Sequence, residues 1–133
     1  MAYAQDGPGH GQGDQSPTRA VKDCSRSGCN GEDPVIHHCS DDARTTYRYP
    51  TRLGLLELRY SPACTASWAR ITGAAEGTWF YVQSCRGAYT QTYQVPAGYN
   101  NAYTDMVPGS SNLRVGNHAG HSACTGPSEA TRG

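Results

Sequence analysis

The chain is short of the residues that ordinarily fill a protein interior. Leu, Ile, Val and Phe together number 14 in 133 residues, and Phe occurs once. Values this low usually accompany disorder, but disorder also goes with high net charge. Here 11 basic and 11 acidic residues cancel. The absence of net charge, and of any basic stripe, argues against a nucleic-acid partner. No stretch approaches the ~20 apolar residues that a membrane-spanning helix needs. Lysine is nearly missing, since Lys22 is the only one among the basic residues; this reads as the compositional bias of a GC-rich bacterial genome.

What is present offsets the shortage. Nine Tyr and two Trp supply apolar area, and six Cys supply cross-links. A lean aliphatic core with an even number of cysteines is the pattern of a small exported domain, because thiols stay paired only in an oxidising compartment. Ala2-Tyr3-Ala4 matches the small-residue triplet that ends a secretory signal, although no apolar segment precedes it. Export to the extracellular space is therefore expected, with residues 2–4 as the remnant of a cleavage site.

The chain divides at the first cysteine. Residues 1–23 are rich in Gly, Pro and polar residues, with Val21 the one aliphatic side chain between residues 5 and 23. Such a segment cannot bury enough surface to fold alone and is expected to be a flexible extension. Pro and Gly also suit recognition in an extended form. Pro17, Thr18, Arg19, Ala20 and Val21, an Arg among small residues, are then the candidate partner-binding positions, shaped to enter a groove or protease-like cleft.

From residue 24 onward a disulfide-stabilised β-domain is expected, extending to residue 133. Residues 24–44 hold three Cys with Gly and Asp-Pro turn signals and read as loop. Beyond them period-2 alternation dominates. It appears over 45–49, over 55–60 with Leu56, Leu58 and Tyr60 on one face, and over 77–85 with Trp79 and Tyr81 opposing Phe80 and Val82. It continues over 88–95 and 112–117. Residues 67–72 are ambiguous between a helical turn and a strand end. Short strands divided by Gly, Pro and Ser turns predict an all-β fold, a small disulfide-braced antiparallel sandwich or barrel.

Six cysteines permit 15 connectivities. Cys24 and Cys29 are near enough to close a local loop. Cys85 ends a strand and Cys124 lies near the C-terminus, so joining them would tie the last segment to the sheet. Cys39 and Cys64 are the other two cysteines, and sequence alone does not choose among the pairings. His118, His121 and Cys124, and separately His37, His38 and Cys39, have ligand-like residue types, but neither group contains a CxxC pair, and no metal or other cofactor is expected.

Catalytic patterns are weak. Asp33, Asp41 and Asp42 lie near His37 and His38 and could assemble an acid–base pair, yet Asp in such loops commonly serves turns and caps. Ser25, Ser27 and Ser40 lack a nucleophile elbow, and there is no HExxH, P-loop or dinucleotide fingerprint. The chain is read as a non-enzyme. Tyr89, Tyr93, Tyr99 and Tyr103 could stack on sugars or line a protein interface, or could cover a thin core.

One ordered block carries a resemblance. Gly28-Cys29-Asn30-Gly31-Glu32-Asp33-Pro34, then Cys39, Asp42-Ala43, Leu56-Glu57-Leu58-Arg59-Tyr60-Ser61-Pro62-Ala63-Cys64 and Trp68-Ala69-Arg70-Ile71 together resemble the YjfA-like family of small exported proteins common in streptomycetes. Members of that family are similar to the small adaptor subunit of umbrella toxin particles, used in competition between bacteria. The resemblance implies a protein–protein role. The adaptor would join a lectin-bearing subunit with a trypsin-like domain to the Ala/Leu/Phe-rich repeats of a large toxin, its N-terminal extension entering the trypsin-like cleft. It carries no catalytic signature. Cys85 and Cys124 lie outside the matching block, a further reason to pair them. A secreted protease inhibitor and a glycan-binding module are the alternative readings.

Overall fold

A computed structural model describes residues 24–125. The positions 1–23, including Pro17, Thr18, Arg19, Ala20 and Val21, and the positions 126–133 lie outside the described residues. Among the described residues nine strands form in chain order: β1 (Arg44–Thr51), β2 (Gly54–Ser61), β3 (Ala66–Thr72), β4 (Trp79–Ser84), β5 (Thr90–Gln94), β6 (Asn101–Tyr103), β7 (Val107–Pro108), β8 (Leu113–Asn117) and β9 (Gly120–His121). Among the described residues two 3₁₀ turns, Arg26–Cys29 and Cys39–Asp42, precede them. The fold is all-β and every strand pairing is antiparallel.

The strands make two sheets. One runs β1-β2-β3-β6, with β7 also pairing β3; the other runs β5-β4-β8-β9. They pack face to face as a sandwich. Leu56 and Leu58 of β2, Ala69 and Ile71 of β3 and Ala102 of β6 meet Phe80 and Val82 of β4 and Leu113 and Val115 of β8 in one buried cluster. Tyr49, Tyr89 and Tyr93 complete it, and Tyr93 sets its ring edge-on to Phe80 at 6.5 Å and 83°. The aromatic rings thus supply area that Leu and Ile would supply elsewhere.

Alternation predicts β1, β2, β4, β5 and β8 to within a few residues. Residues 67–72, ambiguous by pattern, fold as part of the central strand β3, with no helical turn. The reason is a second core. Ala69 and Ile71 face the sandwich, while Ala66 and Trp68 face the opposite side and pack with Cys29, Cys39, Cys64, Tyr103 and Met106. A strand covered on both faces loses the apolar–polar alternation that marks a half-buried one. The cysteine-rich segment 24–43 supplies that second cover, so the molecule has three layers around β3.

Several local devices fix the register. β1 bulges between Thr45 and Tyr47, and the extra residue, Thr46, donates its hydroxyl to Leu58 O at 3.2 Å. Between β6 and β7 the ladder on β3 is kept by Thr104, whose amide donates to Ala69 O at 2.9 Å and whose hydroxyl accepts from Ala69 N at 3.1 Å. Gly54 closes the β1–β2 turn at φ 140°, where a Cβ would stand 2.9 Å from Thr72 O.

Candidate functional site

The cysteine-rich cap over β3 gathers most of the residues that the sequence singles out. Its disulfides are Cys24–Cys29 and Cys39–Cys64, and Cys85–Cys124 braces the other sheet. The local loop and the strand-to-C-terminus tie expected from sequence are both present, and Cys39 and Cys64 form the remaining pair. Cys85 follows β4 directly and donates its amide to Asn112 O at 2.7 Å, so this bridge secures the segment after β9 alongside β8.

Backbone bonds dock the cap on the sheet independently of sulfur. Arg26 N donates to Cys64 O at 2.8 Å, Gly31 N to Met106 O at 2.9 Å, and Met106 N to Glu32 O at 3.0 Å. Cys24 is tied to this docked cap by its bridge to Cys29. The same cap leaves Val35 and Ile36 each 37% exposed next to buried Pro34, an apolar tip on an otherwise polar loop.

Of the candidate acid–base residues only His38 and Asp41 meet, as an exposed pair, while Asp33, His37 and Asp42 are engaged elsewhere. Asp33 is buried; its Oδ1 accepts from Val35 N at 2.8 Å and Ile36 N at 3.3 Å, and Tyr103 Oη donates to its carboxylate at 3.3 Å. Asp42 accepts from Ser61 Oγ at 2.6 Å and Ala63 N at 2.9 Å, pinning the β2–β3 turn. His37 pairs with Glu32 at 3.1 Å and His38 with Asp41 at 3.5 Å. The bonds of Asp33 and Asp42 are the turn roles that short polar side chains commonly fill. Of the second ligand-like group, Cys124 is disulfide-bonded, His121 Nδ1 lies 3.0 Å from Ser122 O, and His118 is exposed.

Burial and the neighbouring Asp33 charge raise the Tyr103 phenol well above its ordinary pKa of 10.0. Burial, followed by the charges of Asp105 and Asp33, also raises Tyr93. Both rings are kept neutral because ionising them would place a second negative charge beside a carboxylate in a poorly solvated place.

The tyrosine run is mostly covering. Tyr89 and Tyr93 pack on the main core, and Tyr103 belongs to the second. Only Tyr99 of the four is broadly exposed, at 46%. Of the two readings open for residues 89–103, display and covering, Tyr89, Tyr93 and Tyr103 take the second: Tyr89 and Tyr93 help to close a sandwich short of aliphatic residues, and Tyr103 packs under the cap. The large exposed aromatic of the second sheet is instead Trp79, also 46% exposed, opposite Gln94 in the β4–β5 register.

Sequence reasoning missed Glu57. It sits between Leu56 and Leu58 at a position that alternation assigns to solvent, yet it is 5% exposed. Arg70, its cross-strand partner, donates at 2.6 Å, and Arg48 on the other side lies 3.5 Å away. The only sequence signal was an acid flanked by strand leucines with Arg48 and Arg70 on neighbouring strands. An open depression of about 350 Å³, lined by Glu76, Gly77, Gln94, Val95, Pro96 and Ala97, carries little chemistry, since Glu76 Oε1 already accepts from Gly98 N at 2.7 Å.

Three disulfides point to an oxidising environment, and no helix among the described residues is long and apolar enough to cross a membrane. The model of a family described as a protein of unknown function (DUF2690) matches residues 27–118. Neither a curated protein nor a solved structure matches the chain.

Proposed function

The chain belongs to the DUF2690 family of proteins of unknown function, and from that premise we propose that it is an exported, non-catalytic adaptor. In this reading the YjfA-like block marks the adaptor subunit of a streptomycete umbrella toxin particle. Residues 1–23 engage one partner, with Pro17, Thr18, Arg19, Ala20 and Val21 entering the cleft of a trypsin-like domain on a lectin-bearing subunit. The braced domain meets the Ala/Leu/Phe-rich repeats of the large toxin subunit.

The observation that carries the proposal is the anchoring of residue 24. The Cys24–Cys29 bridge and the Arg26–Cys64 hydrogen bond fix the root of the extension to a rigid cap. An extension that orders on binding loses conformational entropy, and a fixed root lowers that cost while the folded domain adds a second contact surface. The exposed Val35 and Ile36 on the same cap offer apolar area for that surface.

Deletion of residues 5–22 tests the proposal. The truncated protein keeps its three bridges and its β-sheet circular dichroism but no longer captures a trypsin-like, lectin-bearing subunit. Undiminished capture refutes the role given to the extension. A rise in the activity of a live trypsin-like protease on truncation replaces the adaptor by an inhibitor. A glycan-binding reading is favoured by one observation, exposed Trp79 on a face shared with Gln83 and Arg114, where Arg114 Nη2 donates to Gln83 Oε1 at 2.7 Å. Glycan-array binding that disappears in Trp79→Ala would establish it.

A further inference from the structure

The two disulfides of the cap lie against each other. The sulfurs of Cys24, Cys29, Cys39 and Cys64 all lie within 4.8 Å of one another, and Cys24 Sγ stands 3.8 Å from Cys39 Sγ, across the two bridges. In a tetrahedral tetrathiolate zinc site with Zn–S near 2.3 Å, the sulfurs are about 3.8 Å apart. Opening each bridge requires the sulfurs of a pair to separate by only about 2 Å to reach that geometry.

Three further features fit a metal cage. Cys24 and Cys29 have the four-residue spacing found among structural zinc pairs. Cys29, Cys39 and Cys64 are fully or almost fully buried, among Ala66, Trp68, Tyr103 and Met106. The frame that positions them does not depend on sulfur. Arg26 N–Cys64 O, Gly31 N–Met106 O, Cys39 N–Pro34 O and the Asp42 bonds to Ser61 and Ala63 hold the two turns and the β2–β3 connection together.

We propose that the reduced chain binds one Zn²⁺ ion through Cys24, Cys29, Cys39 and Cys64, so that a single sulfur cluster is closed by two disulfides under oxidising conditions and by a metal under reducing ones. Two equivalents of a dithiol reductant supply the four electrons and four protons that convert the two bridges to four thiols. Binding then releases up to four protons as the thiols become thiolates, and the zinc keeps its oxidation state. Cys85 and Cys124 take no part. Metal binding then closes the sulfur cluster on a cap already docked by those hydrogen bonds, and adds to the stability of the reduced fold. The proposal is independent of the adaptor role.

Cobalt titration of the fully reduced chain under anaerobic conditions tests it. The expected result is a one-to-one complex with thiolate-to-metal charge-transfer bands and the intense d–d bands of tetrahedral cobalt, displaced by one equivalent of Zn²⁺. The bands persist in Cys85→Ser/Cys124→Ser and vanish in both Cys24→Ser/Cys29→Ser and Cys39→Ser/Cys64→Ser. Absence of these bands from the reduced wild-type chain overturns the proposal. So does their survival in Cys39→Ser/Cys64→Ser, which would reveal a local chelate of the flexible reduced chain, or their loss in Cys85→Ser/Cys124→Ser.

Discussion

Removing the disulfides one at a time should rank them by the length of chain each one closes, because a bridge stabilises mainly by restricting the unfolded state. Cys39–Cys64 spans a sequence separation of 25, Cys85–Cys124 one of 39 and Cys24–Cys29 one of 5. Loop-closure entropy then gives about 3.5, 3.9 and 2 kcal/mol respectively at 25 °C. Domains of this size have a total stability of roughly 5–15 kcal/mol, so loss of either long bridge removes a large share. Cys39→Ala/Cys64→Ala also removes two buried sulfurs from the second core, which adds to its cost. Urea unfolding of the oxidised proteins in the presence of a chelator provides the assay. Trp68, 3% exposed and packed in the same cluster, serves as the fluorescence probe. The melting temperature of Cys39→Ala/Cys64→Ala should fall by about 10–15 °C. A loss below about 1 kcal/mol, or a larger loss from Cys24→Ala/Cys29→Ala than from Cys39→Ala/Cys64→Ala, would refute the reasoning.

Two other outcomes follow from packing and charge. A Cβ at Gly116 would collide with the Tyr81 ring and stand 2.7 Å from His121 Cβ, so Gly116→Ala should cost about 1–3 kcal/mol in urea unfolding, and Tyr81→Ala in the same chain should recover part of it. Tyr103 is raised above 10.0 in the fold by burial and by Asp33. Below about pH 10 both folded and unfolded phenols are protonated, and above it the unfolded chain releases its proton first. Stability contributed by the neutral ring is therefore complete below about pH 10 and declines as pH rises further. Unfolding of Tyr103→Phe followed from pH 9 to 11 should show a shallower decline, and an unchanged slope would contradict the assignment.

The sequence carried more of the fold than of the site. Alternation located β1, β2, β4, β5 and β8 because each sets alternate side chains on the sandwich core. It failed at β3, where Trp68 and Ile71 are buried on opposite faces. It also passed over β6, β7 and β9, which are three residues long or less and too short to express a period. Glu57 escaped because its burial depends on Arg70 and on cover from other segments. Asp33 and Asp42 were legible as turn residues: Asp33 accepts from the amides of its own turn, and Asp42 holds the β2–β3 turn. The tyrosines were legible only as a choice between covering and display, since a ring in a strand has the same spacing whichever way it faces.

By itself the sequence determined that the chain would be β-rich and cross-linked. Those properties follow from local quantities: composition, turn residues, alternation and the number of cysteines. Tertiary structure alone decided that Cys39 joins Cys64, that residues 24–43 fold over β3 as a third layer, and that four sulfurs converge beneath it. Each of these requires bringing together residues tens of positions apart. Local preferences do not encode such meetings; they are set by which pairing of strands and cap buries the few apolar side chains the chain possesses.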